Sequence, residues 1–329
     1  MTHIIGRNLF NMNINKNDSF KAIDLFAGIG GIRLGFERAF RDKIDFVFAS
    51  EIDKYARETY YANYGEEPFG DITQIDEKNI PPFDILLAGF PCQAFSVAGH
   101  RKGFEDTRGT LFFDVARIAA YHKPKVMLLE NVKGLVGHDK GRTFKVIVES
   151  LKELGYSVFH NVLNAKDYGV PQNRERIYIV CFLDNKINFE FPIKLSTKQK
   201  VFDILDQNVD PKYTISDKLW AGHQKRKLAH KEKGNGFGYS LFDENSEYTS
   251  TISARYYKDG SEILIKQKEK NPRKLTPREA ARLQGFDDSF HIVVSDVQAY
   301  KQFGNSVAVP VVEQLAKTIY KAIGDKKYE

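Results

Sequence analysis

The chain has 329 residues, of which 42% are hydrophobic and 28% charged, with 49 Lys/Arg against 43 Asp/Glu. This composition excludes a disordered or collagen-like chain and is typical of a globular protein, and no apolar run reaches the roughly 20 residues that a membrane span needs. The chain has only two cysteines, which do not make a disulfide framework, so we expect a cytoplasmic protein without membrane association.

The first half of the chain alternates strand-like and helix-like patterns. Short apolar runs predict strands at residues 21–26, 46–50, 84–88, 125–129 and 176–182. Apolar residues at helical spacing predict helices at residues 32–40, 54–63, 110–121 and 142–154, with Asp53 as the cap of the second. Such alternation predicts a doubly wound α/β fold, in which helices cover both faces of a parallel sheet.

The pattern changes after residue 185. Residues 187–274 carry 17 Lys/Arg against 12 Asp/Glu and show few helical stretches, which predicts a smaller, basic, irregular domain. Thr276 and Glu279 then predict a helix that opens with a capping box, and residues 309–322 predict a final helix. We therefore expect three parts, residues 1–185, 186–274 and 275–329.

A glycine-rich turn, Phe26 to Gly31 (FAGIGG), follows the first predicted strand and precedes the first helix. Glycines there let the backbone turn tightly and approach a ligand at the helix N-terminus. Glu51 ends the next strand, where a carboxylate can accept hydrogen bonds from a ribose diol. These features fit any adenosine-containing cofactor, NAD included, and they also fit a turn that binds no ligand.

Asp71 follows Gly70 on the approach to the third predicted strand. A carboxylate in this position can accept a hydrogen bond from the amino group of an adenine. The alternative is an aspartate that caps a turn, which is a common use of this residue type.

A thiol and a carboxylate follow two further strands. Cys92 lies in the sequence GFPCQ directly after strand 84–88, and Glu130 begins the sequence ENV directly after strand 125–129. Because the carboxyl ends of parallel strands meet at one edge of a sheet, we expect both side chains close to Glu51. The other cysteine, Cys181, lies within a strand-like run and fits a small buried hydrophobe.

Six ordered motifs resemble those of the C5-cytosine DNA methyltransferases of bacterial restriction–modification systems, such as the HhaI, HpaII and Dcm-type enzymes. The motifs are FAGIGG at Phe26, GFPCQ at Gly89, ENV at Glu130, QNRER at Gln172, RLQGF at Arg282 and GNSV at Gly304. The resemblance runs from about Lys21 to the last helix. It implies a Rossmann-like methyltransferase sheet with a target-recognition domain, S-adenosyl-L-methionine as the cofactor and double-stranded DNA as the partner. It also implies a monomer without a metal, whose cognate restriction endonuclease is a functional but not a physical partner.

The resemblance also implies roles for individual residues. Cys92 is the implied nucleophile, Glu130 contacts N3 and the amino group of the cytosine, and Arg176 holds its O2, with Arg174 nearby. The implied cofactor-binding residues are Phe26, Ala27, Gly28, Ile29, Gly31, Glu51, Ile52, Asp71, Ile72, Gly89, Pro91, Leu111, Asn305 and Val307. The candidate DNA contacts are Ser96, Lys225, Arg226, Lys227, Arg255 and Tyr256.

The chemistry independently asks for these residue types. Carbon 5 of cytosine is a poor nucleophile. A thiolate that adds to carbon 6 turns carbon 5 into an enamine carbon, which can attack a methyl sulfonium. Charge then develops on N3 and O2, where a carboxylic acid and a guanidinium stabilise it. Glu130 must be protonated when it acts, which predicts a raised pKa. The target base must also be flipped out of the duplex.

Alternatives remain open at this point. An RNA cytosine methyltransferase would share the motifs of the first half, although the large basic domain favours duplex DNA. A non-catalytic DNA-binding module would not need Cys92, Glu130 and Arg176, and an NAD oxidoreductase would not need the pairing of Cys92 with Glu130. For any single lysine of residues 225–233, a solvated charged face is a better explanation than a DNA contact.

Two stretches bear on the target sequence, residues 234–239 (GNGFGY) and residues 251–260 (TISARYYKDG). The second resembles Dcm-type enzymes, which methylate the inner cytosine of CCWGG and whose relatives read CCNGG; the HpaII-type enzymes, which read CCGG, share the first. Arg255, with Tyr256 beside it, is suited to donate two hydrogen bonds to a guanine or to contact a phosphate. We expect a short palindrome that begins CC and ends GG.

Overall fold

The computed structural model describes residues 19–91, 111–196 and 199–324. A six-stranded sheet lies at its centre, in the strand order β2-β1-β3-β4-β6-β5. Its strands are β1 Phe20–Leu25, β2 Ile44–Ser50, β3 Ile85–Ala88, β4 Val126–Val132, β5 Ser157–Asn164 and β6 Glu175–Phe182. The five predicted strands are confirmed with ends shifted by at most three residues, whereas the sequence did not predict β5.

The helices of the described residues are α1 Gly31–Phe40, α2 Lys54–Tyr64, α3 Leu111–His122, α4 Arg142–Glu153, α5 Asp217–Glu232, α6 Pro277–Leu283, α7 Asp296–Asn305 and α8 Val309–Gly324. The predicted helices are confirmed at α1 to α4, α6 and α8. Asp53 caps α2 by accepting from the backbone amides of Tyr55 and Ala56, and the capping box of Thr276 and Glu279 opens α6. The helix α5 was not expected in the irregular region.

The sheet is mixed, so the prediction of a parallel sheet was wrong for one strand. β1 to β4 pair in parallel, but β6 runs antiparallel to both β4 and β5. A parallel neighbour needs a crossover of a dozen or more residues. Only residues 165–174 join β5 to β6, and the chain therefore reverses.

Helices cover both faces of the sheet. On one face α1 packs against α8, and a Cβ added at Gly35 would lie 2.6 Å from the side chain of Val312. On the other face α3 and α4 bury apolar residues such as Ile118 and Ile147 against the sheet. The fold class is therefore the predicted doubly wound α/β arrangement.

A smaller three-stranded sheet lies in the region predicted to recognise the target. Its strands are β7 Leu241–Phe242, β8 Leu264–Gln267 and β9 Lys270–Arg273, in the order β7-β8-β9. A separate core joins Ile252 and Tyr256 to Tyr300 and Phe303 of α7. This core contains residues from both sides of the domain boundary predicted at 274/275, and that boundary stays a prediction. No helix in the described part of the chain is long and apolar enough to cross a membrane.

Loss of the buried ion pair between Arg273 and Glu279 should destabilise this second core. Glu279 is fully buried, accepts two hydrogen bonds from Arg273 and also accepts from the backbone of Thr276. We expect Glu279→Ala to lower the free energy of unfolding by about 3–5 kcal/mol, because it leaves a buried guanidinium unpaired. Urea unfolding measures this. The control Glu149→Ala, which removes an exposed i,i+4 pair with Lys145, should cost less than about 0.5 kcal/mol; equal costs would contradict the account.

Candidate active site

One cavity of about 430 Å³ opens at the carboxyl-terminal edge of β1 to β4. Predicted site residues that line it are Phe26, Ala27, Gly28, Ile29, Gly31, Glu51, Ile52, Gly89, Pro91, Leu111, Glu130, Arg174, Arg176, Asn305 and Val307. Cys92 and Ser96 lie outside the described residues, and Pro91 is the last described residue before them. Most residues implied for the cofactor thus share one cavity with Glu130, Arg174 and Arg176, which are implied for the base.

The glycine-rich turn forms one end of the cavity. Its backbone is left-handed at Phe26, Gly28 and Gly30, with φ values of 55°, 56° and 79°, a region that glycine enters without steric cost. A Cβ added at Gly28 would meet no heavy atom within 4 Å, whereas one at Gly31 would lie 2.6 Å from the hydroxyl of Ser306. The turn is therefore packed against Ser306 at Gly31, whereas the space beside Gly28 is open, as a ligand site requires.

Glu51 connects the turn to the end of β2. Its carboxylate accepts from the backbone amide of Gly28 at 2.8 Å and from that of Asp53 at 2.8 Å. Burial raises the pKa of Glu51, and the two amide donors oppose that rise. The remaining lone pairs leave it able to accept further hydrogen bonds at the cavity wall.

A second carboxyl lies beneath the same turn. Asp24 on β1 is 1% exposed, and neither of its oxygens has a hydrogen-bond partner among the described residues. Burial raises its pKa to about 8; the nearby Arg33 lowers the value and Glu51 raises it further. Burial therefore favours the neutral form of Asp24 up to a pH near this pKa.

Asp71 and Ile72 do not line the cavity. The carboxylate of Asp71 accepts from the backbone amide and the hydroxyl of Thr73 and caps a short 3-10 turn. Ile72 is buried in the core beside Phe48. The observed use of Asp71 is the turn cap that the sequence left open as an alternative, and the implied contact with adenine stays a prediction.

A buried ion pair forms the opposite end of the cavity. Glu130 on β4 is 9% exposed, and its carboxylate lies 3.1 Å from the Nε of Arg176 at the start of β6. Because β6 is antiparallel to β4, its first residues lie beside the last residues of β4, and Arg176 is in register with Val132. Burial raises the pKa of Glu130, whereas Arg176 and Arg174 oppose that rise, so the shift has the predicted direction.

Two neighbours hold the segment that leads to Cys92. The side-chain amide of Asn131 donates to the backbone carbonyl of Phe90 at 2.8 Å. A Cβ added at Gly89 would lie 3.5 Å from Ile32 and 3.6 Å from the carboxylate of Glu130. Gly89 thus lies between Ile32 of α1, which follows the glycine-rich turn, and the carboxylate of Glu130.

Helix α7 supplies lining residues that the sequence analysis missed. Gln298, Lys301 and Gln302 line the cavity together with Asn305, and Gln302 also donates to the backbone carbonyl of Tyr55 on α2 at 2.9 Å. Their spacing of three and four residues places them on one helix face. This helical spacing continues to Asn305 of the GNSV motif. It was therefore the sequence signal that could have predicted these residues as neighbours of Asn305 in the cavity.

The candidate DNA contacts divide into exposed and buried residues. Lys225, Arg226, Lys227 and Arg255 are exposed. Tyr256 is fully buried, and its hydroxyl donates to the carbonyl of Ile263, so its prediction as a DNA contact was wrong in this structure. Its ring packs against that of Tyr300, with ring centroids 5.1 Å apart, in the core of the second region.

Comparison with known proteins identifies the class to which this fold and cavity belong. Residues 20–321 match the family of C-5 cytosine-specific DNA methylases. The chain is 62% identical over 313 residues to the Type II methyltransferase M.SsoII of Shigella sonnei, covering 94% of this chain and 82% of that protein. It is 48% identical over 334 residues to the Type II methyltransferase M.HpaII of Haemophilus parainfluenzae, covering 95% and 92%.

A solved structure agrees with the fold. The methyltransferase EhMeth of Entamoeba histolytica superposes with a TM-score of 0.74 at 23% identity, covering 92% of this chain and 98% of that one. The chain belongs to the C-5 cytosine-specific DNA methylase family. Membership confirms the resemblance found in the motifs, excludes the NAD oxidoreductase, and implies DNA as the substrate and S-adenosylmethionine as the methyl donor.

Replacing Asp24 with asparagine should stabilise the protein increasingly as the pH rises. The unfolded carboxyl ionises near its ordinary value of 3.8, whereas the folded one ionises near 8. Stability is therefore lost between these values in the wild type, and the Asp24→Asn variant cannot show this loss because an amide does not ionise. We expect equal stability of both proteins below pH 4 and a gain of roughly a few kcal/mol at pH 8. Urea unfolding across this range measures it, with the exposed Asp45→Asn as the control; a gain that is independent of pH would contradict the assignment.

Proposed function

We propose that this enzyme transfers a methyl group from S-adenosylmethionine to carbon 5 of a cytosine that is flipped out of a specific short duplex sequence, and that it thereby protects DNA from a cognate restriction endonuclease. The observation that carries the proposal is the single cavity that joins the glycine-rich turn to the pair of Glu130 and Arg176. The proposed nucleophile Cys92 follows Pro91, which lines the same cavity. Both relatives named above are Type II methyltransferases, which supports the protective role.

The glycine-rich end is the proposed cofactor site. The open space in front of Gly28 fits a ligand close to the backbone, and the carboxylate of Glu51 fits a ribose diol. Phe26 at the cavity wall offers a flat face for the adenine ring. S-adenosylmethionine, when bound, supplies an electrophilic methyl group.

The opposite end is the proposed base site. The Cys92 thiolate adds to carbon 6 of the cytosine, and the electron pair of the 5,6 double bond becomes available at carbon 5. In this proposed step Glu130, whose pKa is raised by burial, donates a proton at N3, while Arg176 donates hydrogen bonds at O2. Once carbon 5 carries the methyl group, a base removes the proton of carbon 5, the thiolate leaves carbon 6 and N3 returns its proton to Glu130, which restores the aromatic ring and the acid.

A paired base cannot reach Glu130. The carboxyl is 9% exposed, and its ion-pair partner Arg176 is also mostly covered. Enzymes that act on a base inside a duplex extrude the nucleotide into the site at a cost of a few kcal/mol. The burial of the groups that are proposed to touch the ring supports base flipping.

The proposed target is a short palindrome that begins CC and ends GG, such as CCNGG, CCWGG or CCGG, methylated at the second cytosine. Arg255 is exposed and directly follows a segment that contacts the catalytic region, which suits it to read a guanine. The two sequence stretches shared with enzymes of this specificity support the same proposal.

Bisulfite sequencing of plasmid DNA from an expressing strain should reveal protected cytosines only at the second position of such palindromes. The host must lack its own cytosine methyltransferases, and the empty vector is the control. Methylation at an unrelated motif such as GCGC would contradict the proposed target while supporting the reaction. The absence of methylated cytosine would contradict the reaction itself.

Replacement of the nucleophile should abolish turnover but not binding. We expect Cys92→Ser to lower kcat by roughly 10³-fold or more, because an alcohol is a far weaker nucleophile than a thiolate near neutral pH. Transfer of labelled methyl groups to DNA measures kcat, and a gel-shift assay measures DNA affinity. The control Cys181→Ala changes a fully buried residue of β6 and should keep activity. Activity retained in Cys92→Ser would sink the mechanism.

Lys225 is the best single candidate for a phosphate contact on α5. Arg226 pairs with Asp259 at 3.2 Å and Lys227 donates to the carbonyl of Tyr239, whereas Lys225 has no such partner among the described residues. We expect Lys225→Ala to reduce the slope of log Kd against log salt by about 1, for specific and random duplexes alike. The exposed Lys152→Ala on α4 is the control. An unchanged slope would assign Lys225 to a solvated face.

A further inference from the structure

Residues 249–255, here called the recognition segment, lie against the QNRER motif. The amide of Asn173 donates to the carbonyl of Thr249 at 2.9 Å, and the hydroxyl of Thr251 donates to the carbonyl of Asn173 at 2.6 Å. The buried Gln172 accepts from the amide of Ile252 at 3.1 Å and donates to the carbonyl of Leu283 at 3.0 Å. The recognition segment is thus fixed to the catalytic region along its length.

Arg174 makes the central contacts of this junction. It is 2% exposed, and its guanidinium donates to the carbonyl of Ile252 and to that of Gly304, both at 3.1 Å, and also to that of Ser306. One planar group therefore holds the recognition segment and the GNSV loop in a fixed relation. A lysine ammonium is a point charge on a flexible stem and cannot reproduce this planar fork.

The junction continues without a gap to the cofactor end. A Cβ added at Gly304 would lie 2.3 Å from the carbonyl carbon of Ser253, so the two backbones touch. Beyond Gly304, the hydroxyl of Ser306 packs against Gly31 of the glycine-rich turn. Two close contacts thus connect the recognition segment to the cofactor cradle.

The recognition segment ends at an exposed side chain. Arg255 is exposed, its amide donates to the hydroxyl of Ser253 at 3.1 Å, and it is the residue proposed to read a guanine. Only two residues separate it from Ile252, which Arg174 holds. A base contact at Arg255 and the position of Ser306 are consequently linked by a short chain of packed backbone.

We propose that Arg174 is a positioning residue that couples recognition of the target sequence to the cofactor pocket, rather than a residue that contacts the cytosine. This inference rests on the proposed function, since it takes DNA at Arg255 and S-adenosylmethionine at the glycine-rich turn. We expect this coupling to be favourable: the cognate duplex tightens cofactor binding and, because coupling is reciprocal, the cofactor tightens duplex binding by the same factor. The same three carbonyl contacts satisfy donors of the Arg174 guanidinium and so explain how this charged group can be buried.

The test compares S-adenosylhomocysteine binding with and without DNA. Its Kd is measured by calorimetry alone, with a duplex carrying the site mapped by bisulfite sequencing, and with a scrambled duplex. We expect the wild type to bind about 10-fold or more tightly with the mapped site. Arg174→Lys should lose this tightening to within about 2-fold, while its Kd without DNA changes by less than about 3-fold.

Two further variants separate coupling from simple damage. Gly304→Ala forces the Ser253 backbone away without changing the arginine and should lose the tightening in the same way. Arg278→Lys is the matched control, because Arg278 also donates to two backbone carbonyls, those of Asp287 and Phe290, but does not line the cavity. It should keep the tightening.

Each other outcome overturns the proposal. If Arg174→Lys retained the tightening, the planar guanidinium would not be needed for coupling. If this variant lost affinity for S-adenosylhomocysteine equally with and without DNA, the substitution would have damaged the cofactor pocket itself. A wild type that methylates its site without any tightening would overturn the coupling and leave the proposed function intact. A wild type that methylates no DNA would overturn the proposed function as well.

Discussion

The reversal of β6 beside β4 is the constraint on which the active site depends. A carboxyl as buried as Glu130 is stable only if it is neutral or paired, and its partner Arg176 comes from the first residues of β6. In a parallel strand those residues would lie at the far edge of the sheet. The antiparallel direction places a carboxyl and a guanidinium at one point, where the proposed mechanism requires them to stabilise charge on the cytosine ring.

The remaining architecture serves the same edge. The glycine-rich turn approaches it from β1, Glu51 from β2 and Gly89 from β3, so that a cofactor and a base can meet within one cavity. Helix α7 and the GNSV loop close the cavity from the C-terminal part of the chain. Because Arg174 ties this loop to the recognition segment, the second region is fixed to the place where the cofactor would lie.

The sequence was sufficient where local signals are strong. Short apolar runs located five strands, the capping box located α6, and the ends of strands brought Glu51 and Glu130 to one cavity. It was not sufficient for the direction of β6, because an apolar run carries no direction, or for β5, an edge strand that is largely half-exposed. Helix α5 buries only His223 and so lacks a hydrophobic stripe. The burial of Tyr256 depends on a core assembled from distant segments.

The central claim is that Glu130, buried against Arg176, activates the cytosine as an acid. The most direct test is the rate of covalent capture on a cognate duplex carrying 5-fluorocytosine, which holds the adduct because fluorine cannot leave carbon 5 as a proton does. Glu130→Gln is nearly isosteric and keeps a donor, but it has no acidic proton to transfer. The account predicts that capture slows by about 10²–10⁴-fold while duplex affinity stays within about 3-fold of the wild type. Capture at the wild-type rate would contradict it.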